Sequence, residues 1–131
     1  MTGLDTNVLV RYVMQDDPRQ SSLATSLIES LKPEEPGFVP VVVLVELVWV
    51  LSGSYGLDRA QVATVLSTLL RSKELVVDRA ELVNQALRRY SANGADFADV
   101  LIERLSAAAG CSATMTFAAG AVKAAGMALV R

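Results

Sequence analysis

The 131-residue chain predicts an α/β protein: a three-layer α/β/α sandwich with a mainly parallel central sheet, formed by residues 1–131 as a single domain. Three features predict it. Short apolar runs that read as strands alternate with longer stretches of helical period. The segments joining successive strands are long enough to hold the helical crossovers that parallel pairing requires. The length supports one sizeable core and is too short for two ordinary domains.

Each element has a local reason. "TGLD" is a short first strand, and "TNVLVRYVMQ" a helix that stops near Asp16-Asp17-Pro18. "PRQSSLATSLIESL" is a second helix, opened by Pro18 where a missing N–H is harmless and closed before "KPEEPG". "GFVP" is a strand leading into an apolar helix that carries Glu46. After the Gly-rich break "SGSYGLD", Asp58 caps the helix "RAQVATVLSTLLRS". A strand "ELVV", a helix "RAELVNQALRRYSANG" and a helix "ADFADVLIERLSAAAG" follow. A strand "CSATMTF", a small Ala-rich helix and a closing strand "GMALV" end the chain, which contains no repeat and no low-complexity stretch.

Composition removes several function classes. The chain is 52% apolar and 20% charged, as globular proteins are. A net charge of −2 provides no global basic field, so a nucleic-acid partner requires a local cationic patch. The single cysteine, Cys111, forms no internal disulfide, and the absence of histidine removes Ser-His-Asp triads and His-based acid-base catalysis. The start "MTGLDTN" lacks the basic and apolar regions of a signal peptide, and the apolar run around Glu46 is too short to span a membrane. A cytoplasmic protein is expected.

The acids then draw attention. Asp5 lies at the carboxyl end of the first strand, the rim where open α/β sheets bind ligands. Glu46 has Val42, Val43, Trp49 and Val50 as its helical neighbours, so its carboxylate is expected to be at least half covered. Asp96 and Asp99 share one face near a helix start, opposite Phe97, Val100, Leu101 and Leu105. Plainer readings stand beside these. Asp5 and Asp96 serve equally as N-caps, with Asp99 completing a capping-box-like arrangement. Glu46 pairs equally well with Arg11, and Glu103 extends a solvated stripe. One divalent cation explains all of the acids together: an oxygen-only, His-free set suits Mg²⁺ or Mn²⁺ and phosphoryl chemistry.

"LDTNVLVRY", "VVVLVELVWVL" and "GADFADVLI" closely resemble, in order and separation, the PIN-domain ribonucleases, in particular VapC-type toxins of toxin-antitoxin pairs. The resemblance implies a PIN-like fold, a Mg²⁺ or Mn²⁺ site at the strand ends, and endonucleolytic cleavage of RNA such as tRNA. It implies Asp5, Glu46 and Asp99 as metal-holding catalytic acids and Asp96 as an accessory acid. Thr6 and Asn7 would orient Asp5 by hydrogen bonds, Thr116 would help order the site, and Arg11 would contact RNA. Arg88 and Arg89 are a further possible patch or a solvated helix end. A homodimer and a cognate antitoxin are the implied partners, and the helices "RQSSLATSLIESL" and "RAQVATVLSTLL" are candidate faces for them.

One departure matters. Many relatives read "TFD" where this chain has "TFAAGAV", so Ala118 stands in place of a fourth aspartate. Three readings remain open: a competent enzyme held by the other acids, a PIN-like binding protein with weak or no nuclease activity, or an engineered inactive variant. Two other phosphoryl-transfer classes fit less well. A haloacid-dehalogenase-like phosphatase needs a second acid where Asn7 stands, and a response-regulator receiver needs paired acids after the first strand.

Overall fold

The computed structural model describes all residues, Met1–Arg131, as two compact units, Met1–Ala80 and Glu81–Arg131. The first contains β1 (Thr2–Gly3), α1 (Thr6–Met14), α2 (Pro18–Glu29), β2 (Gly37–Val39), α3 (Val41–Gly53), α4 (Arg59–Arg71) and β3 (Leu75–Val77). The second contains α5 (Ala80–Asn93), which starts at the boundary, then α6 (Phe97–Ala108), β4 (Met115–Thr116), α7 (Ala119–Ala125) and β5 (Ala128–Leu129). The fold class is α/β and PIN-like, with every strand paired in parallel. The elements match those expected from the sequence, although the strands are shorter.

In the first unit the sheet order is β1-β2-β3, with Thr2 opposite Gly37 and Gly37 opposite Leu75. Leu4 N–H extends the ladder to the Phe38 carbonyl at 2.9 Å, and Asp78 N–H reaches the Val39 carbonyl at 2.9 Å. Parallel pairing therefore puts Asp5, the start of α3 and Asp78 at one rim. Gly37 is required for close packing: a Cβ there would come within 2.8 Å of Leu4 Cδ1 and 2.9 Å of Leu31 Cδ1. Helix α1 packs on α2 and α3, and α3 packs on α4. Leu9, Leu44, Leu47, Leu51, Val62 and Leu66 are fully buried. Each such leucine contributes roughly 2 kcal/mol through removal of apolar surface from water.

Local caps fix the helix starts. Asp58 accepts the Gln61 N–H at 2.8 Å while Gln61 Oε1 accepts the Asp58 N–H at 2.9 Å, a complete capping box. Asp17 accepts the Gln20 N–H at 2.8 Å, with Pro18 in the first turn.

In the second unit, β4 pairs with β5 through Met115 opposite Ala128 and Thr116 opposite Leu129. Tyr90 of α5 meets Phe97 of α6 edge-to-face, with ring centroids 5.9 Å apart. Helix α7 ends at Gly126 in the left-handed region, φ 75°, where a Cβ would also crowd Arg89 Nη1 at 3.3 Å. No helix is long and apolar enough to cross a membrane.

Candidate active site

Asp5 and Glu46 come together through one residue. Thr6, 8% exposed, donates its N–H to Asp5 Oδ1 at 2.7 Å and its hydroxyl to Glu46 Oε1 at 2.8 Å. One residue at the start of α1, through its backbone N–H and its hydroxyl, thus meets both the acid at the end of β1 and the acid in the middle of α3. Each acid keeps its second carboxylate oxygen without a protein partner. Both line an open cleft of about 610 Å³ with Asn7, Arg11, Ser54 and Tyr55.

Asp5 occupies the N-cap of α1, as the plainer reading expects, but its cap bond differs from the others. Asp17, Asp58 and Asp96 each accept the N–H three residues on, the usual N-cap bond, whereas Asp5 accepts only from its immediate neighbour, Thr6. Both Asp5 and Asp96 therefore cap helices, and Asp5 does so through one oxygen, leaving Oδ2 without a protein partner.

Several expectations are corrected. Glu46 falls on the exposed side of α3, and two of the neighbours that suggested cover are on the surface: Val42 is 64% and Trp49 81% exposed. The core face of α3 is instead Val43, Leu44, Leu47 and Leu51. Asn7 is exposed and lines the cleft, but makes no hydrogen bond to Asp5. Arg11 does not pair with Glu46. Its Nε donates to Gln20 Oε1 at 2.8 Å, and its Nη1 reaches Asp16 Oδ1 at 3.3 Å and the Tyr55 hydroxyl at 3.1 Å. Tyr55 donates in turn to Asp16, which is held below the usual carboxylate range first by that bond, then by a backbone N–H and by Arg11.

In the second unit Asp96, Asp99 and Ala118 line one open cleft of about 720 Å³ with Gly94, Ala95 and Lys123. Asp96 Oδ2 accepts the Asp99 N–H at 3.1 Å. The Asp99 carboxylate has no hydrogen-bond or ion-pair partner, and Lys123 forms no ion pair with either aspartate. Partial burial, and then the neighbouring charge of Asp96, push the Asp99 carboxyl above its ordinary range. Ala118 occupies the N-cap of α7 without a side-chain bond, and Thr116 compensates by accepting the Ala118 N–H on its hydroxyl at 3.0 Å.

Glu103 and Arg89 are also corrected. Glu103 is not part of a solvated stripe: its side chain is 13% exposed, 2.7 Å from Arg104 Nε and 3.1 Å from Arg89 Nη1. Arg89 is not a free helix-end cation, since it also donates to the Ala125 carbonyl at 3.1 Å.

The donor set fits a hard divalent cation. It consists of carboxylate oxygens with open positions, and Mg²⁺ takes one or two carboxylates directly while keeping several waters. In neither unit do three or more acidic, histidine or cysteine side chains group as a self-sufficient metal cage. Tyr55, Ser54 and Lys123 are cleft residues that sequence reading missed. The only local signal was the Gly-rich break "SGSYG" after α3, which carries no spacing rule for a site.

The chain belongs to the PIN domain family, whose profile matches residues 4–124. It is similar to a VapC ribonuclease of Aquifex aeolicus (strain VF5), 28% identical over 101 residues that cover 77% of this chain and 75% of that one. No solved structure matches the chain.

Proposed function

We propose that this chain is a divalent-metal-dependent endoribonuclease, the toxin of a type II toxin-antitoxin pair, acting in the cytoplasm on structured RNA such as tRNA. The observation that carries the reading is the joining of Asp5 and Glu46 through Thr6, in a chain of the PIN family and similar to a VapC ribonuclease. Asp5, Glu46 and Asp99 would hold Mg²⁺ or Mn²⁺, with Asp96 as a further ligand or a group that orients water. Such an ion, when bound, supplies an activated water and neutralises charge developing at phosphorus.

The protein's own contributions are positional. Thr6 fixes the two carboxylates of the first unit by satisfying one oxygen of each, so that the free oxygens need no reorganisation. The raised affinity of Asp99 for a proton comes first from partial burial and then from the charge of Asp96, and a bound cation would oppose both. Arg11, on the wall of the Asp5–Glu46 cleft, would contact RNA. A 5′-phosphate and a 3′-hydroxyl are the expected products. A cognate antitoxin and a second copy of the chain are the proposed protein partners.

The test is cleavage of tRNA by the purified chain with Mg²⁺ and with EDTA. Cleavage should require the ion and should be lost in Asp5→Asn at unchanged melting temperature. Equal cleavage by Asp5→Asn would reject the assignment. Ala118 favours a second reading, a binding protein with weak or no nuclease activity, because an apolar side chain lines the Asp96–Asp99 cleft. Gain of cleavage in Ala118→Asp would identify the missing acid as limiting.

A further inference from the structure

We propose that Arg11 is a pre-organised phosphodiester contact of the Asp5–Glu46 cleft, and that Tyr55, Asp16 and Gln20 are the positioning residues that aim its Nη2 group. The proposal rests on the nuclease reading above and adds how the RNA backbone is held next to the acids.

A guanidinium presents five N–H donors in a rigid plane. In Arg11 three sides of that plane are assigned: Nε to Gln20 at 2.8 Å, and Nη1 to Asp16 at 3.3 Å and to the Tyr55 hydroxyl at 3.1 Å. Nη2 carries no protein hydrogen bond, so its two N–H groups remain for an incoming anion. Arg11 and Tyr55 both line the cleft with Asp5 and Glu46, yet Arg11 bonds to neither acid.

The clamp draws on distant parts of the unit. Tyr55 lies just beyond α3, Asp16 between α1 and α2, and Gln20 on α2, so three segments converge on one cation. Tyr55 is the keystone: its hydroxyl accepts from Arg11 and donates to Asp16, so the phenol keeps cation and carboxylate in register. Without that brace the long, exposed arginine would be free to collapse onto Asp5 or Glu46, where it would compete with a metal ion. The arrangement resolves a charge problem. The chain has a net charge of −2, and the cleft is walled by acids, so a polyanion needs a cation held in place to enter it. The Nη2 amino group, left open by these contacts, offers its N–H groups to non-bridging phosphate oxygens as a charge-assisted donor.

The experiment combines steady-state cleavage of tRNA in Mg²⁺ with fluorescence anisotropy of a labelled single-stranded RNA across a salt series. The anisotropy uses the full chain carrying Asp5→Asn, so that the probe stays intact. Arg11→Gln should raise KM about tenfold with kcat changed less than about twofold, the signature of lost uniform binding. It should also flatten the slope of log affinity against log salt by about 0.7, one single-strand phosphate contact. Arg11→Lys should keep the slope but recover only part of the affinity. Tyr55→Phe, which keeps every formal charge, should raise KM roughly threefold.

Should Arg11→Gln fail to fold, Arg11→Lys and Tyr55→Phe decide the matter alone, and wild-type KM in both would overturn the proposal. An unchanged salt slope in a folded Arg11→Gln protein would do the same while leaving the nuclease reading intact. Absence of both binding and cleavage in the wild-type chain would overturn the two together.

Discussion

Asp99 and Glu103 sit one helical turn apart on α6 and are treated oppositely by their surroundings. Asp99 is partly buried beside Asp96 with no cation in contact, and its carboxyl binds a proton more tightly in the folded chain than in the unfolded one. Ionised Asp99 therefore opposes folding at neutral pH, and the opposition fades as pH falls through its raised folded value. The expected result is that Asp99→Asn melts higher than the wild type in EDTA at pH 7 while cleavage is lost. A purely structural acid would give the reverse sign. Glu103 is held below the carboxylate range first by the hydrogen bond from Arg104 and then by the charges of Arg104 and Arg89. Its stabilisation is complete above the ordinary value of 4.5 and is lost as pH falls through the depressed folded value. Glu103→Gln should thus be less stable than the wild type at pH 7, by about 1 kcal/mol for loss of charge-assisted bonds. Denaturation curves should show the gap closing as pH falls below the ordinary value of 4.5.

How much of this was legible at the level of single residues depends on the range of the forces involved. Asp58 and Asp96 were readable as a cap and a candidate cap because the N–H they satisfy lies three residues away, whereas Asp17, which makes the same bond, was read only as part of a helix end. Glu46 was readable as an acid out of place, yet its exposure was misjudged because apolar helix neighbours do not reveal whether a face meets protein or water. Trp49, 81% exposed, is the clearest instance. Tyr55 was invisible because its partners lie 39 and 44 residues away, beyond any local spacing rule.

Helices and strands were recovered more completely than contacts, since their signals are local. Pro18 opens α2, Asp58 opens α4, and Gly126 closes α7 in the left-handed region. Strand lengths were overestimated: "CSATMTF" yields only Met115–Thr116, because apolar residues in short runs do not show where ladder pairing stops. The weakest start is that of α7, where Ala118 leaves the N-cap without a side-chain bond and Thr116 supplies the substitute from two residues upstream. Ala118→Asp should add a cap worth about 1 kcal/mol. The gain should be reduced in EDTA, because the new charge joins Asp96 and Asp99 at one cleft, and restored by Mn²⁺. Thermal melts with and without the ion check both parts. A larger gain in EDTA than in Mn²⁺ would contradict the reading of that cleft.

The family match runs from residue 4 to residue 124, through both compact units, so one PIN chain supplies two pairs of carboxylates. Asp5 and Glu46 belong to the first unit, and Asp96 and Asp99 to the second. Alternation of strand and helix made the α/β class readable from sequence, because parallel pairing cannot be built without crossovers. The ordering of carboxylate oxygens was not readable, because it depends on one threonine whose hydroxyl points forty residues along the chain. For a chain of net charge −2 that is proposed to act on RNA, the central claim is the proposed binding of a divalent cation by Asp5.

Calorimetric titration of Mn²⁺ tests it most directly, using the wild type and Asp5→Asn. Asparagine keeps an Oδ1 that can accept the Thr6 N–H, so the variant should melt as the wild type in EDTA. The account predicts saturable binding to the wild type and its loss in the variant. Equal binding by both proteins, or none by the wild type, would contradict it.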